Sequence, residues 1–220
     1  MLDQVTKLND SIEWSASKFK GIDAIMVSHG VRRDSAAAPI LDHLTAPANY
    51  ELLSHTHYED PVTPHKDTYS VFSIDDLLGM AILAKHNKLE RNFVAFLSTG
   101  KGAFYAMTIP KPQKLIVFFR TKLEGLPNSS DLTNYFAYLD AKKKLNRLND
   151  LFFDEKNGVI KESNEDNDNM LGAFLDFLKQ ADMGVDLYKT DSTFTNFTNV
   201  TLGASNFNGS YNVEEKPCEN

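Results

Sequence analysis

A chain of 220 residues, 42% hydrophobic, 24% charged and 11% aromatic, is long enough to bury one core, or one core with an appended subdomain. Its net charge of −7 argues against a nucleic-acid partner, because neutralising phosphates needs clustered Lys and Arg and the one dense basic run is Lys142-Lys143-Lys144. No stretch approaches the roughly 18 apolar residues of a membrane helix, and the N-terminal MLDQVTKLND has neither the basic start nor the apolar core of a signal peptide.

The first β-prone stretch in chain order is 21–28 (GIDAIMVS), where Ile, Met and Val follow a glycine. Residues 32–48, with their Ala-Pro steps, read as a surface loop. Tyr50 to Ser54 form a short apolar run, expected as a buried strand that delivers His55 and His57. Two prolines and many polar groups make 58–69 an irregular loop. Ser73 then opens a helix as its N-cap, with Asp76 at the third helical position in a variant of the capping box and Phe72 and Leu77 as a hydrophobic staple. Leu77, Leu78, Ala81, Ile82 and Ala84 supply the buried face, and Lys85 and Lys88 suit the negative C-terminal end.

Residues 93–99 and 103–109 are β-prone and joined by Gly100-Lys101-Gly102, the clearest hairpin in the chain. Lys114 to Phe119 (KLIVFF) reads as a further strand. After Gly125-Leu126-Pro127-Asn128, the pattern is helical over 131–153, polar and acidic over 154–169, and helical again over 170–182. The Thr- and Asn-rich stretch 185–212 suggests short strands. The fold class is therefore α/β (α+β), a mixed β-sheet flanked by helices. It divides into a core at 1–124 and a C-terminal helical and short-strand extension at 125–220.

Successive side chains of a strand alternate faces, so His55 and His57 project the same way, with backbones roughly 7 Å apart. Two imidazoles at that spacing converge on one Zn²⁺ at about 2.1 Å each. Asp76 on the first turn of the helix adds a carboxylate oxygen as third ligand. A fourth position is left for water, whose pKa the ion lowers towards about 7. The single cysteine, Cys218, can supply neither an internal disulfide nor a thiolate cage, so any metal rests on His and carboxylate. His29, His43 and His86 have no partner at metal spacing. Gly100-Lys101-Gly102 lacks the strand–loop–helix context of a phosphate loop.

The runs LLSHTH (52–57) and FSIDDL (72–77) resemble the His-x-His … Ser-x-x-Asp signature of the JAB/MPN (JAMM) metallopeptidases. Particularly similar are the JAB-like domains near the C-termini of bacterial, notably Bacteroidetes, polymorphic-toxin and Rhs-type proteins. The likeness covers roughly residues 10–120. It implies a cytidine-deaminase-like JAB/MPN architecture and a zinc-dependent peptidase or isopeptidase acting on a peptide or protein substrate. His55, His57 and Asp76 would be the zinc ligands, and Ser73 the donor to the substrate's developing oxyanion.

The family also needs an upstream glutamate as general base. Glu51 lies on the strand of His55 with its backbone about 13 Å away, out of reach of the metal water. Glu13 is the other glutamate before the motif and is taken as the base, ahead of Asp34 and Asp42. The family commonly has proline where Tyr58 stands, and the loop from Tyr58 to Phe72 is longer than the compact version. Its His65, Asp60 and Asp67 are rival ligands. Two other readings stand beside the peptidase: a catalytically inactive JAB-like binding module, and an acidic immunity-type protein whose partner is a toxin. The chain is expected either in the cytoplasm or as the C-terminal part of a larger exported protein.

Overall fold

In the computed structural model, which describes residues 12–29, 48–58, 69–124, 143, 144, 153, 160, 167–204 and 211–218, the N-terminal segment is already a strand. This β1 (Trp14–Phe19) alternates serine with apolar residues, and Ser15, Ala16 and Ser17 are all buried. Small side chains on both faces leave no amphipathic signal, so local pattern does not mark this strand. Gly21, at φ +72, turns the chain back into β2 (Ile25–His29), which pairs antiparallel with β1. The strand expected over 21–28 thus begins four residues later, because the glycine and Ile22-Asp23-Ala24 form its approach.

β3 (Tyr50–His57) lies on the other side of β1, antiparallel to it. From its carboxyl end the chain crosses over through α1 (Ile74–Lys85) and returns as β4 (Leu89–Thr99), parallel to β3. β5 (Phe104–Thr108) completes the expected hairpin, with Val94 opposite Thr108 and Ser98 opposite Phe104. Gly102 carries the positive φ, +77, that this turn requires.

The run KLIVFF is not a strand but the middle of α2 (Pro112–Lys122). A continuous apolar run cannot by itself separate a strand from a buried helix. Here Pro112 sits in the first helical turn, Arg120 and Lys122 in the last, and burial follows helical spacing. Leu115, Ile116, Phe118 and Phe119 are buried, whereas Val117 between them is 45% exposed.

α3 (Asn167–Gln180) covers most of the expected 170–182 helix and begins a turn earlier. Three strands follow: β6 (Asp186–Thr190), β7 (Phe197–Leu202) and β8 (Val213–Pro217). The helix expected over 131–153 falls outside the described residues except at Lys143 and Lys144, which are helical, and Phe153.

The result is a mixed α/β fold around one eight-stranded sheet of order β2-β1-β3-β4-β5-β6-β7-β8. Among the described residues only the β3–β4 pair is parallel. Because β6 pairs with β5, the C-terminal strands extend the same sheet. Across it, Leu53, Ala95, Met107, Leu187 and Val200 fall in one row, and His55, Leu97 and Tyr105 in the next row on the same face. Leu97, Tyr105, Met107, Leu187 and Val200 belong to one apolar cluster with Ile74, Leu77 and Ile82 of α1, Leu115 and Phe119 of α2, and Met170 and Phe174 of α3. The helices therefore cover the sheet face from which His55 projects. Among the described residues no helix is long and apolar enough to cross a membrane.

Candidate metal centre

Alternation along β3 and the start of α1 decide the geometry. His55 and His57 lie two residues apart on one face, at the carboxyl end of a strand whose crossover helix returns over that face. α1 begins there because Ser73 caps it: its Oγ accepts the Asp76 backbone N–H at 3.1 Å, and Asp76 Oδ2 accepts the Ser73 backbone N–H at 2.7 Å. Phe72 and Leu77, the expected staple, are both fully buried and fix the angle at which the helix enters.

The capping box holds Oδ2 of Asp76 against the helix backbone, beside His57, and leaves Oδ1 directed at His55. Asp76 Oδ1 lies 3.1 Å from His55 Nε2, and Oδ2 lies 3.4 Å from His57 Nε2. The two Nε2 atoms are 3.3 Å apart. One ligand atom from each of the three residues falls within 4.8 Å of the others. Two donors bonded to one tetrahedral ion at 2.0–2.1 Å are separated by about 3.3 Å. The cluster therefore already has the spacing of a coordination sphere.

Tautomer chemistry supports the same conclusion. His57 Nδ1 lies 2.6 Å from the Tyr69 carbonyl oxygen, which can only accept, so Nδ1 carries a proton. In its neutral form the ring presents the Nε2 lone pair on the side of His55 and Asp76, the arrangement of a metal-ligating histidine with its other nitrogen tied to a carbonyl. Burial of Asp76 pushes its pKa up, but the charge and hydrogen bonding of His55 and His57 outweigh this and hold the carboxyl well below the usual carboxylate range. The side chains of His55, His57 and Asp76 are 12%, 4% and 21% exposed, so the cluster is shielded yet reachable from solvent. Two imidazole nitrogens and an ionised carboxylate, all turned inwards, form a donor set suited to one metal ion.

Glu13 immediately precedes β1 and is 5% exposed. Ser15 pairs with His55, and the Trp14 backbone N–H donates to Thr56 Oγ1 at 2.9 Å. Continuing this register brings Glu13 opposite His57 and onto the same face. It stands outside the three-residue metal cluster. Glu51 is occupied elsewhere, 3.3 Å from Lys18 Nζ. Asp34, Asp42, His43, Asp60, His65 and Asp67 lie outside the described residues. His29 packs against Trp14 at 4.9 Å between ring centroids, and His86 caps the C-terminus of α1.

Two contributors had no signal in the sequence. The Tyr69 carbonyl is a backbone atom, and any residue at position 69 would supply it. Ser15, buried opposite His55 and 2.7 Å from Ser28 Oγ, lies in a strand that periodicity did not reveal. No family model, no curated protein and no solved structure matches the chain.

Proposed function

We propose that the chain is a zinc-dependent peptidase or isopeptidase of the JAB/MPN type, with His55, His57 and Asp76 as the zinc ligands. The observation that carries this reading is the convergence of the three donors at 3.1–3.4 Å, with His57 Nδ1 tied back to Tyr69. The motif likeness of residues 52–57 and 72–77 adds the reaction class. Bound there, zinc supplies a Lewis acid that polarises a carbonyl and acidifies a water.

The chain's own groups do the rest. Glu13, on the face of His57, takes the proton from the attacking water and delivers it to the leaving amine nitrogen as the C–N bond breaks. Ser73 accepts the Asp76 N–H through an oxygen lone pair, which leaves its hydroxyl proton to donate to the oxyanion forming on the substrate carbonyl. Capping the helix and steadying the oxyanion are thus compatible tasks for one side chain.

Protein purified without chelator is expected to hold one zinc per chain by elemental analysis, and a zinc-free preparation sinks the reading. Glu13→Gln is expected to keep that zinc while cleavage of a mixed peptide library, read by mass spectrometry, falls by about 10²–10⁴-fold. Undiminished cleavage removes Glu13 from the mechanism.

A further inference from the structure

The backbone oxygen that sets the His57 tautomer belongs to Tyr69, and twelve residues separate the two along the chain. What immobilises that oxygen comes from much further away. The Tyr69 ring meets Phe153 edge-on, at 5.2 Å between centroids. Phe153 in turn packs against Phe177 of α3 at 5.7 Å. The next residue, Ser70, donates its hydroxyl to Met170 Sδ at 3.2 Å, a contact spanning 100 positions. Ser70 and Met170 are 1% and 0% exposed, so the link is fully withdrawn from water. A buried hydroxyl left without its acceptor is unfavourable, and turning the peptide that carries it is one way to find another.

We propose that Met170, through Ser70, is a positioning residue of the metal centre: the C-terminal helix holds the Tyr69–Ser70 peptide so that its carbonyl keeps the His57 proton on Nδ1. This rests on the metal-site reading for its consequence in affinity, but not for its consequence in tautomer. Contacts one step beyond a ligand commonly change metal affinity by about 10–100-fold when lost, and Met170 acts at one remove from such a contact.

The test pairs two conservative variants of the full chain. Met170→Leu keeps the volume of the core but cannot accept the Ser70 hydroxyl, and Ser70→Ala removes the donor without opening a large cavity. Each is expected to weaken zinc binding about tenfold in a chelator competition. The double variant is expected to weaken it about tenfold and not a hundredfold, because both substitutions break one link. Thermal unfolding of the metal-free variants checks that the fold survives.

The second readout is the His57 tautomer, followed by histidine side-chain nitrogen NMR on metal-free protein. Both variants are expected to populate the Nε2-protonated form. A tautomer unchanged in both variants overturns the positioning role whether or not zinc binds. Additive losses of affinity overturn the shared link. A wild-type chain that binds no zinc overturns the metal assignment alone. If Met170→Leu fails to fold, Ser70→Ala by itself decides the question through the same two readouts.

Discussion

Two aspartates, Asp76 at the start of α1 and Asp191 in the turn between β6 and β7, both have carboxyls held below the usual range, for opposite reasons. Asp191 accepts from the Thr193 hydroxyl at 2.6 Å, from the Thr193 and Thr195 backbone N–H groups at 2.9 and 3.2 Å, and from the Asn196 amide. These hydrogen bonds from its own turn lower its pKa. Nothing in that set asks for a ligand; the carboxylate organises six residues of chain and is satisfied by them. Asp76 uses Oδ2 in the same local manner, on the Ser73 backbone, but its two oxygens also face two imidazoles carried by a different element, Oδ1 towards His55 and Oδ2 towards His57. A depressed carboxyl therefore does not mark a site. What marks one is a carboxylate whose second oxygen is directed at long-range groups that are themselves electron-pair donors.

Substitution can break this comparison directly. Asp76→Ala is expected to reduce zinc affinity more than about 100-fold, exceeding the loss of any outer contact. Asp191→Ala is expected to leave it unchanged. Equal effects on zinc in a chelator titration dissolve the distinction between the two carboxylates. Ser73→Ala sharpens it by separating capping from coordination. Loss of the side-chain cap costs about 1 kcal/mol in denaturant unfolding, while zinc affinity holds because the Ser73 backbone N–H still orients Asp76.

The smallest effect concerns acid stability. A carboxyl whose pKa is lower folded than unfolded contributes stability that is complete above the unfolded value, about 3.9, and is lost as the pH falls through the folded value. Asp191 is such a group. Asp191→Asn is therefore expected to lower the metal-free thermal midpoint slightly near neutrality and to flatten its acid limb below about pH 4, where the two proteins converge. A steeper acid limb in the variant contradicts the assigned direction.

Much of the centre was legible in the sequence because its parts are local. His55 and His57 share a face by strand alternation, and Ser73 with Asp76 announces a helix start by spacing alone. The structure adds that these two local patterns meet, which no single-chain periodicity reports. The hairpin at Gly100-Lys101-Gly102 was equally plain, since its turn chemistry and flanking strands agree. The misreading of KLIVFF has a physical source: composition carried the strand reading, whereas Pro112 before it and Arg120 and Lys122 after it carried the helical one. β1 escaped because small residues line both of its faces, Ser15 and Ser17 on one and Ala16 on the other. The Tyr69 carbonyl and Met170 act through backbone and through contacts 100 positions apart, and neither leaves a trace in local pattern.

The shared duty of Asp76 has a consequence for descent. A lineage that abandoned a metal at this site would be released from keeping His55, whose ring packing against Phe72 another side chain can supply. The same lineage still needs Ser73 and Asp76 to start α1. The Ser-x-x-Asp half of the pattern is thus expected to outlive the chemistry. Among diverged copies of this chain, the histidines, and not the aspartate, tell working centres from relics.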